Sequence, residues 1–213
     1  MDPAVQGAAV VHIVDDDASL RTALASLLRS VQIEVRTYSS ADPFFSAERD
    51  SGAPACLLLD VRLPGLSGLD LQQRLREAGE TLPVVLMTGH GDIPMSVRGM
   101  KAGAVDFLTK PFREQELLDA VHAALDRDRQ RLARFDAAAS ERRAYATLSA
   151  REREVFVQVV AGRLNKQIAA DLRLAEITVK IHRGAVMRKM GARSLPELVR
   201  MAQALGVEIG RGR

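Results

Sequence analysis

The chain has 213 residues, 47% hydrophobic and 27% charged, which suits a globular protein with room for two modest cores and excludes a disordered chain. No apolar stretch approaches the roughly 20 residues that span a bilayer, and Met1-Asp2-Pro3 lacks the positive start and apolar run of a secretory signal, so a cytoplasmic protein with no membrane association is expected. The net charge of +3 hides a polarity: residues 1–126 carry 11 Lys and Arg against 18 Asp and Glu, whereas residues 127–213 carry 19 against 9.

The first half alternates strand and helix. Val10–Val14 reads as a strand that closes on Asp15-Asp16; Leu20, Leu24, Leu27 and Leu28 then mark one face of a helix, and Ile33–Tyr38 reads as a second strand. A third, Cys56–Leu59, closes on Asp60, and the lone Cys56 inside it reads as a small core hydrophobe, since a single cysteine forms no intrachain disulfide. A helix carrying Leu69, Leu71 and Leu75, a strand Val84–Met87, a short helix around Ile93–Ala102 and a strand Val105–Leu108 follow. Five strands with their crossovers predict a doubly wound parallel sheet, although periodicity leaves the strand order open.

Short apolar runs that end in a carboxylate deliver it to the carboxyl edge of such a sheet, where open α/β folds place their sites. Asp15, Asp16 and Asp60 together supply hard oxygen ligands of the kind Mg²⁺ prefers, and Lys110, just after the last strand, supplies a cation opposite them. This is the inventory of a phosphoryl-transfer site.

From Glu114, Leu118, Val121, Leu125, Asp128, Leu132, Phe135 and Ala139 repeat at spacings of three and four, with no Pro or Gly between Arg113 and Arg143, predicting one long helix that leaves the first domain. Beyond Asp126 two readings stand open: a linker or dimer seam, or a segment that frays in solvent. Ser149 with Glu152 forms a capping box at the next helix start, Gly162 ends that helix, and Asn165 is expected to cap the following one. After a short turn, Ile177–Met190 reads as a helix studded with Lys180, His182, Arg183, Arg188 and Lys189, and Leu195–Leu205 as a last one. Two short helices with a tight turn suit a helix-turn-helix, and the basic balance with only 4% aromatic residues favours duplex DNA over single strands or RNA.

In order along the chain, Val14-Asp15-Asp16-Asp17, Leu59-Asp60-Val61-Arg62-Leu63-Pro64, Gly68, Met87-Thr88-Gly89 and Phe107-Leu108-Thr109-Lys110-Pro111 resemble the receiver domain of two-component response regulators. Leu148-Ser149-x-Arg151-Glu152, Asn165-Lys166-x-Ile168-Ala169, Thr178-Val179-Lys180-x-His182-Arg183 and Gly191-Ala192-Arg193-Ser194 resemble the LuxR-type DNA-binding domain, and the whole chain resembles FixJ-type regulators. The resemblance implies a flavodoxin-like sheet of order 2-1-3-4-5. It implies Asp60 as phosphoacceptor for a histidine kinase, Mg²⁺ held by Asp15, Asp16, Asp60 and the Arg62 main-chain carbonyl, Thr88 and Lys110 in the chemistry, and Thr88 with Phe107 as the switch. It further implies a homodimer when phosphorylated, a duplex DNA target and RNA polymerase as a partner. Lys180 and Ile181 are the expected base readers, with Lys166, Thr178 and Arg183 on phosphates. The expected domains are a receiver over 1–126, a helical linker over 127–145 and a four-helix DNA-binding domain over 146–213.

Two rivals belong to other classes: a phosphatase-like hydrolase, which usually carries Asp-x-Asp on its first strand, and a constitutive DNA-binding scaffold whose first half only dimerises. Two departures from the pattern stand out. Ala175 occupies the place of a Ser or Thr helix cap, and Gly184 presents no side chain where relatives often meet bases. Arg62 and His90 are expected to flank the water that hydrolyses the aspartyl-phosphate.

Overall fold

The computed structural model describes residues 9–47, 52–89 and 93–207. The chain divides between residues 132 and 133 into two compact units, a division that falls inside the segment set aside above as a linker.

The first unit is built on five parallel strands: β1 (Val10–Val14), β2 (Glu34–Tyr38), β3 (Ala55–Asp60), β4 (Val84–Thr88) and β5 (Asp106–Thr109), in the order β2-β1-β3-β4-β5. Burial explains the order. Every residue of β1, β3 and β4 is buried, as a strand covered on both faces requires, whereas β2 and β5 mix exposed and buried positions and take the edges. Alternate residues feed two cores. Cys56 and Leu58 of β3 face Leu24 and Leu28 of α1 (Ala18–Ser30) and Leu117, Val121 and Leu125 of the long helix; Leu57 and Leu59 face Phe44 of α2 (Ala41–Ser46) and Leu71 and Leu75 of α3 (Gly68–Glu77). Helix α4 (Ile93–Lys101) precedes β5.

Helix α2 has no counterpart in the sequence reading: six residues with Pro43 inside are too few for a 3.6-residue period to show. The long helix α5 runs over Glu114–Ala146 as one element. Its buried face is Leu117, Ala120, Val121, Ala124, Leu125 and Asp128, the spacing of a globular helix face rather than of a coiled-coil seam. The expected row is therefore corrected by one position at its start, where Leu117 is fully buried and Leu118 only half-buried, and Phe135 is 68% exposed. Asp128 belongs to the core for a local reason. Its carboxylate accepts from the Ala55 N–H, which opens β3, at 2.9 Å and from Arg131 Nε at 2.7 Å, so no buried charge is left unpartnered.

The second unit holds α6 (Ala150–Val160), α7 (Asn165–Leu172), α8 (Glu176–Met190) and α9 (Leu195–Ala204) around Val155, Phe156, Ile168, Val179, Val186 and Leu198. The Ser149/Glu152 capping box is present, and Gly162 and Gly191 take left-handed φ of 78° and 69° where α6 and α8 end. Asn165 is not a cap. It is the first residue of α7, and the Leu164 N–H before it donates to Gln167 Oε1 at 2.9 Å; the Asn165 side-chain Oδ1 accepts instead from Arg183 Nη1 at 3.1 Å, tying α7 to α8. Ala175, at the start of α8, provides no side-chain cap.

Candidate functional site

Parallel register brings the acidic residues level. Val14 of β1 pairs with Leu59 of β3, so the next residues, Asp15 and Asp60, emerge side by side at the carboxyl edge, and Asp60 in turn pairs with Met87 of β4, one residue before Thr88. Asp15, Asp60 and Thr88 are buried, whereas Asp16 is exposed. Beyond β5 the Lys110 N–H donates to the Thr88 carbonyl at 2.7 Å, and the Lys110 ammonium donates to Asp15 Oδ2 at 2.6 Å and Asp60 Oδ2 at 2.7 Å. The remaining carboxylate oxygens are held locally: Asp15 Oδ1 accepts from the Asp17 N–H at 2.9 Å and Asp60 Oδ1 from the Arg62 N–H at 3.0 Å.

Burial raises the Asp15 carboxyl above the ordinary carboxylate range, against the pull of Lys110. Burial alone would lower Lys110; its bonds to Asp15 and Asp60 outweigh that and raise it, so it stays a cation. Asp15, Asp16 and Asp60 place one oxygen each within 4.8 Å of one another. Three hard donors this close suit Mg²⁺, which is bound by one or two carboxylates and keeps several waters.

Two residues support this edge without having been singled out from the sequence for that role. Arg21 Nη1 donates to the Asp15 carbonyl at 2.6 Å, from one turn into α1. Gly68 opens α3 directly against the main chain of Asp60: a Cβ there would lie 2.2 Å from the Asp60 carbonyl oxygen, so only glycine fits. Phe107, half-buried, packs against the core that contains Val14, Leu59 and Leu86. Arg62 is exposed, and His90 lies outside the described residues.

In the second unit, Val179, Val186 and Met190 turn α8 toward the core. Lys180 and Ile181 lie on its exposed side, Thr178 and Arg183 are half-buried, and Lys166 is exposed near the start of α7. Lys189, at the far end of α8, is drawn into the fold: its ammonium donates to Glu152 Oε2 at 2.6 Å and to the Thr147 carbonyl at 3.2 Å.

Residues 11–122 match the response regulator receiver domain, and residues 146–202 match the bacterial regulatory proteins of the luxR family. Nodulation protein W of Bradyrhizobium diazoefficiens is 53% identical over 199 residues, 93% of this chain and 87% of that one. The solved structure of the response regulator StyR is 43% identical, covers 92% of this chain and 99% of its own, and superposes with a TM-score of 0.80. Full-length FixJ from B. japonicum is 37% identical, covers 93% and 98%, and has a TM-score of 0.56. The chain belongs to the FixJ-type two-component response regulators.

As a response regulator it is a transcriptional regulator rather than an enzyme that turns over an external substrate, which removes the hydrolase reading. No helix among the described residues is long and apolar enough to cross a membrane.

Proposed function

We propose that Asp60 accepts a phosphoryl group from the phosphohistidine of a histidine kinase, and that the modified regulator dimerises and binds duplex DNA in the cytoplasm, where it engages RNA polymerase. The observation that carries the chemistry is Lys110, whose single ammonium spans Asp15 and Asp60 in a pocket of three carboxylates. As the bond from Asp60 Oδ to phosphorus forms, the phosphorus–nitrogen bond to the kinase imidazole breaks, and the nitrogen leaves with the bonding pair. Asp60 is held for this by the Arg62 N–H, and Lys110 sits where it meets the anionic oxygens of the incoming group. Asp15, Asp16, Asp60 and the Arg62 main-chain carbonyl are the residues that would hold Mg²⁺, which when bound supplies charge neutralisation for the same oxygens.

The buried Thr88 hydroxyl then turns to the phosphoryl group, and the half-buried Phe107 takes up the space it leaves. The face of α4, β5 and α5 is remodelled with them, and the exposed Val97 and Met100 of α4 give that face apolar surface to bury in a dimer. A dimer presents two α8 helices to adjacent half-sites, with Lys180 and Ile181 toward bases and Lys166, Thr178 and Arg183 toward phosphates. The exposed Arg62 side chain flanks the water that ends the signal, and the family pattern assigns His90 the same part.

Asp60→Asn tests the chemistry, because an amide is not a competent nucleophile. Incubated with acetyl phosphate and Mg²⁺, the wild-type chain should gain one phosphoryl mass and the variant none. An equal gain in the variant would sink the assignment.

A further inference from the structure

The outward side of α8 is apolar where a basic surface would be expected. Ile177 and Ile181 stand one helical turn apart, 63% and 65% exposed, on the side of the helix away from the buried Val179 and Val186. The next position of the same row is Gly184, where an added Cβ would meet nothing within 4 Å. The row therefore projects two branched aliphatic side chains from its first two turns and then goes flat. Local helix stability does not account for this choice, because isoleucine is a weaker helix former than the alanine, lysine or glutamate that an exposed position can carry. Neither does core packing.

Exposed Lys180 lies between the two isoleucines in sequence, Lys166 is exposed near the start of α7, and residues 127–213 carry 19 Lys and Arg against 9 Asp and Glu. An apolar row beside Lys180, on a unit with so large a basic excess, fits a polyanion with apolar points on it better than it fits a protein surface, whose interface cores are rich in aromatic anchors. In the major groove the base edges are hydrogen-bonding groups with one apolar exception, the C5-methyl of thymine.

Resting on the DNA-binding reading above, we infer that Ile177 and Ile181 are specificity-determining residues that read thymine methyl groups in the major groove. One helical turn separates the two side chains by about 6 Å along α8, and successive bases rise by roughly 3.4 Å. The two methyls thus belong to thymines one or two base steps apart in each half-site. Gly184 ends the row, so direct reading by it stops at Ile181.

The test uses the full-length chain, with and without acetyl phosphate and Mg²⁺, to select duplexes from a random library. Each thymine of the selected duplex is then replaced in turn by deoxyuridine, which removes one methyl and leaves every hydrogen-bonding group in place. Wild type should bind about fourfold more weakly at one or two thymines per half-site, the factor that corresponds to one buried methyl group, and should be indifferent elsewhere. Ile177→Ala and Ile181→Ala should each bind the parent duplex more weakly and lose the response to uracil at one of those positions. The uracil arm alters only the DNA and does not depend on the folding of a variant.

Selected duplexes on which every uracil substitution is silent would overturn this inference and leave the DNA-binding reading intact. Retention of full uracil sensitivity by both variants would also overturn it, assigning the methyls to other side chains. Undiminished DNA affinity in both variants would give the apolar row to a protein contact instead. Failure to enrich any duplex would overturn the DNA-binding reading and the inference with it.

Discussion

The buried carboxylates of the two units are held in similar ways and balanced in different ones. Asp128, on α5, and Glu152, on α6, each accept one main-chain N–H and one cation: Ala55 with Arg131, and Ser149 with Lys189. Each is thereby neutralised one for one, and each fastens parts of the chain that are far apart, 73 residues for Asp128 to Ala55 and 37 for Lys189 to Glu152. Asp15 and Asp60 also accept one main-chain N–H apiece, from Asp17 and Arg62, but each of those lies only two residues on. They share a single lysine, with Asp16 as a third carboxylate beside them. A balanced carboxylate completes a fold. Three carboxylates with one lysine leave an excess of negative charge that suits an added cation, and each of the two buried ones keeps a main-chain N–H whatever the lysine does.

Exchanging the roles is the sharpest way to break the comparison. Asp128→Ala leaves the Ala55 N–H buried with no acceptor and Arg131 without its anion, so the first unit should lose about 3 kcal/mol in urea unfolding. Its Asp60 should still take up phosphate from acetyl phosphate at temperatures where the unit is folded. Asp128→Asn, which keeps an acceptor oxygen for Ala55, should lose less. Asp60→Asn should do the reverse, abolishing phosphorylation while leaving the unfolding midpoint unchanged or raised in metal-free buffer, because it removes one of the excess charges. A large loss of stability in Asp60→Asn, or of phosphorylation in folded Asp128→Ala, would dissolve the distinction.

The same contrast explains what could be read from the sequence. The pocket was legible because each of its residues ends or follows an apolar run, and in a parallel sheet all such ends lie on one edge; Asp15, Asp60, Thr88 and Lys110 fall there without any knowledge of strand order. Gly68 was visible only as a member of a motif, since the contact that demands glycine is with a main-chain carbonyl eight residues away. Asp128 looked like a defect in an apolar row, because the N–H it satisfies lies on β3, 73 residues away. Asn165 looked like a helix cap by residue type, yet its side chain is used by Arg183. Lys189 read as one more basic side chain of α8, and its tie to Glu152 depends on how α6 and α8 pack. Local patterns gave the pocket and every element except the six-residue α2. Partnerships across tens of residues had no periodic trace.

Glu152 gives the comparison a pH axis. Its hydrogen bond from Lys189, with the Ser149 N–H, lowers its carboxyl from the ordinary 4.5 to about 2. A carboxylate depressed on folding adds stability that is fully present above its unfolded value and is lost as pH falls through its folded one. The second unit should therefore weaken progressively from about pH 4.5 to about pH 2. Glu152→Gln should be less stable at pH 7 and flatter across that window. Thermal melts of both forms at several pH values, followed by a signal from Tyr145 beside Phe156, would check it; parallel curves for the two forms would show that the Lys189 pair contributes nothing.

The smallest effect expected separates stability from recognition within α8 itself. Gly184 lies in the interior of the helix, with a φ outside the left-handed region and open space where a side chain would begin. Nothing in the fold requires glycine, and its backbone freedom weakens the helix by about 1 kcal/mol relative to alanine. Gly184→Ala should raise the stability of the second unit by about that amount. If the flat end of the row matters for how closely α8 approaches the groove, the same substitution should weaken binding to a selected duplex even as the melting temperature rises. Opposite movement of the two quantities would show that the position is kept for the DNA; a stabilised variant with unchanged binding would show that the bare turn is neutral, and that readout by this row is complete at Ile181.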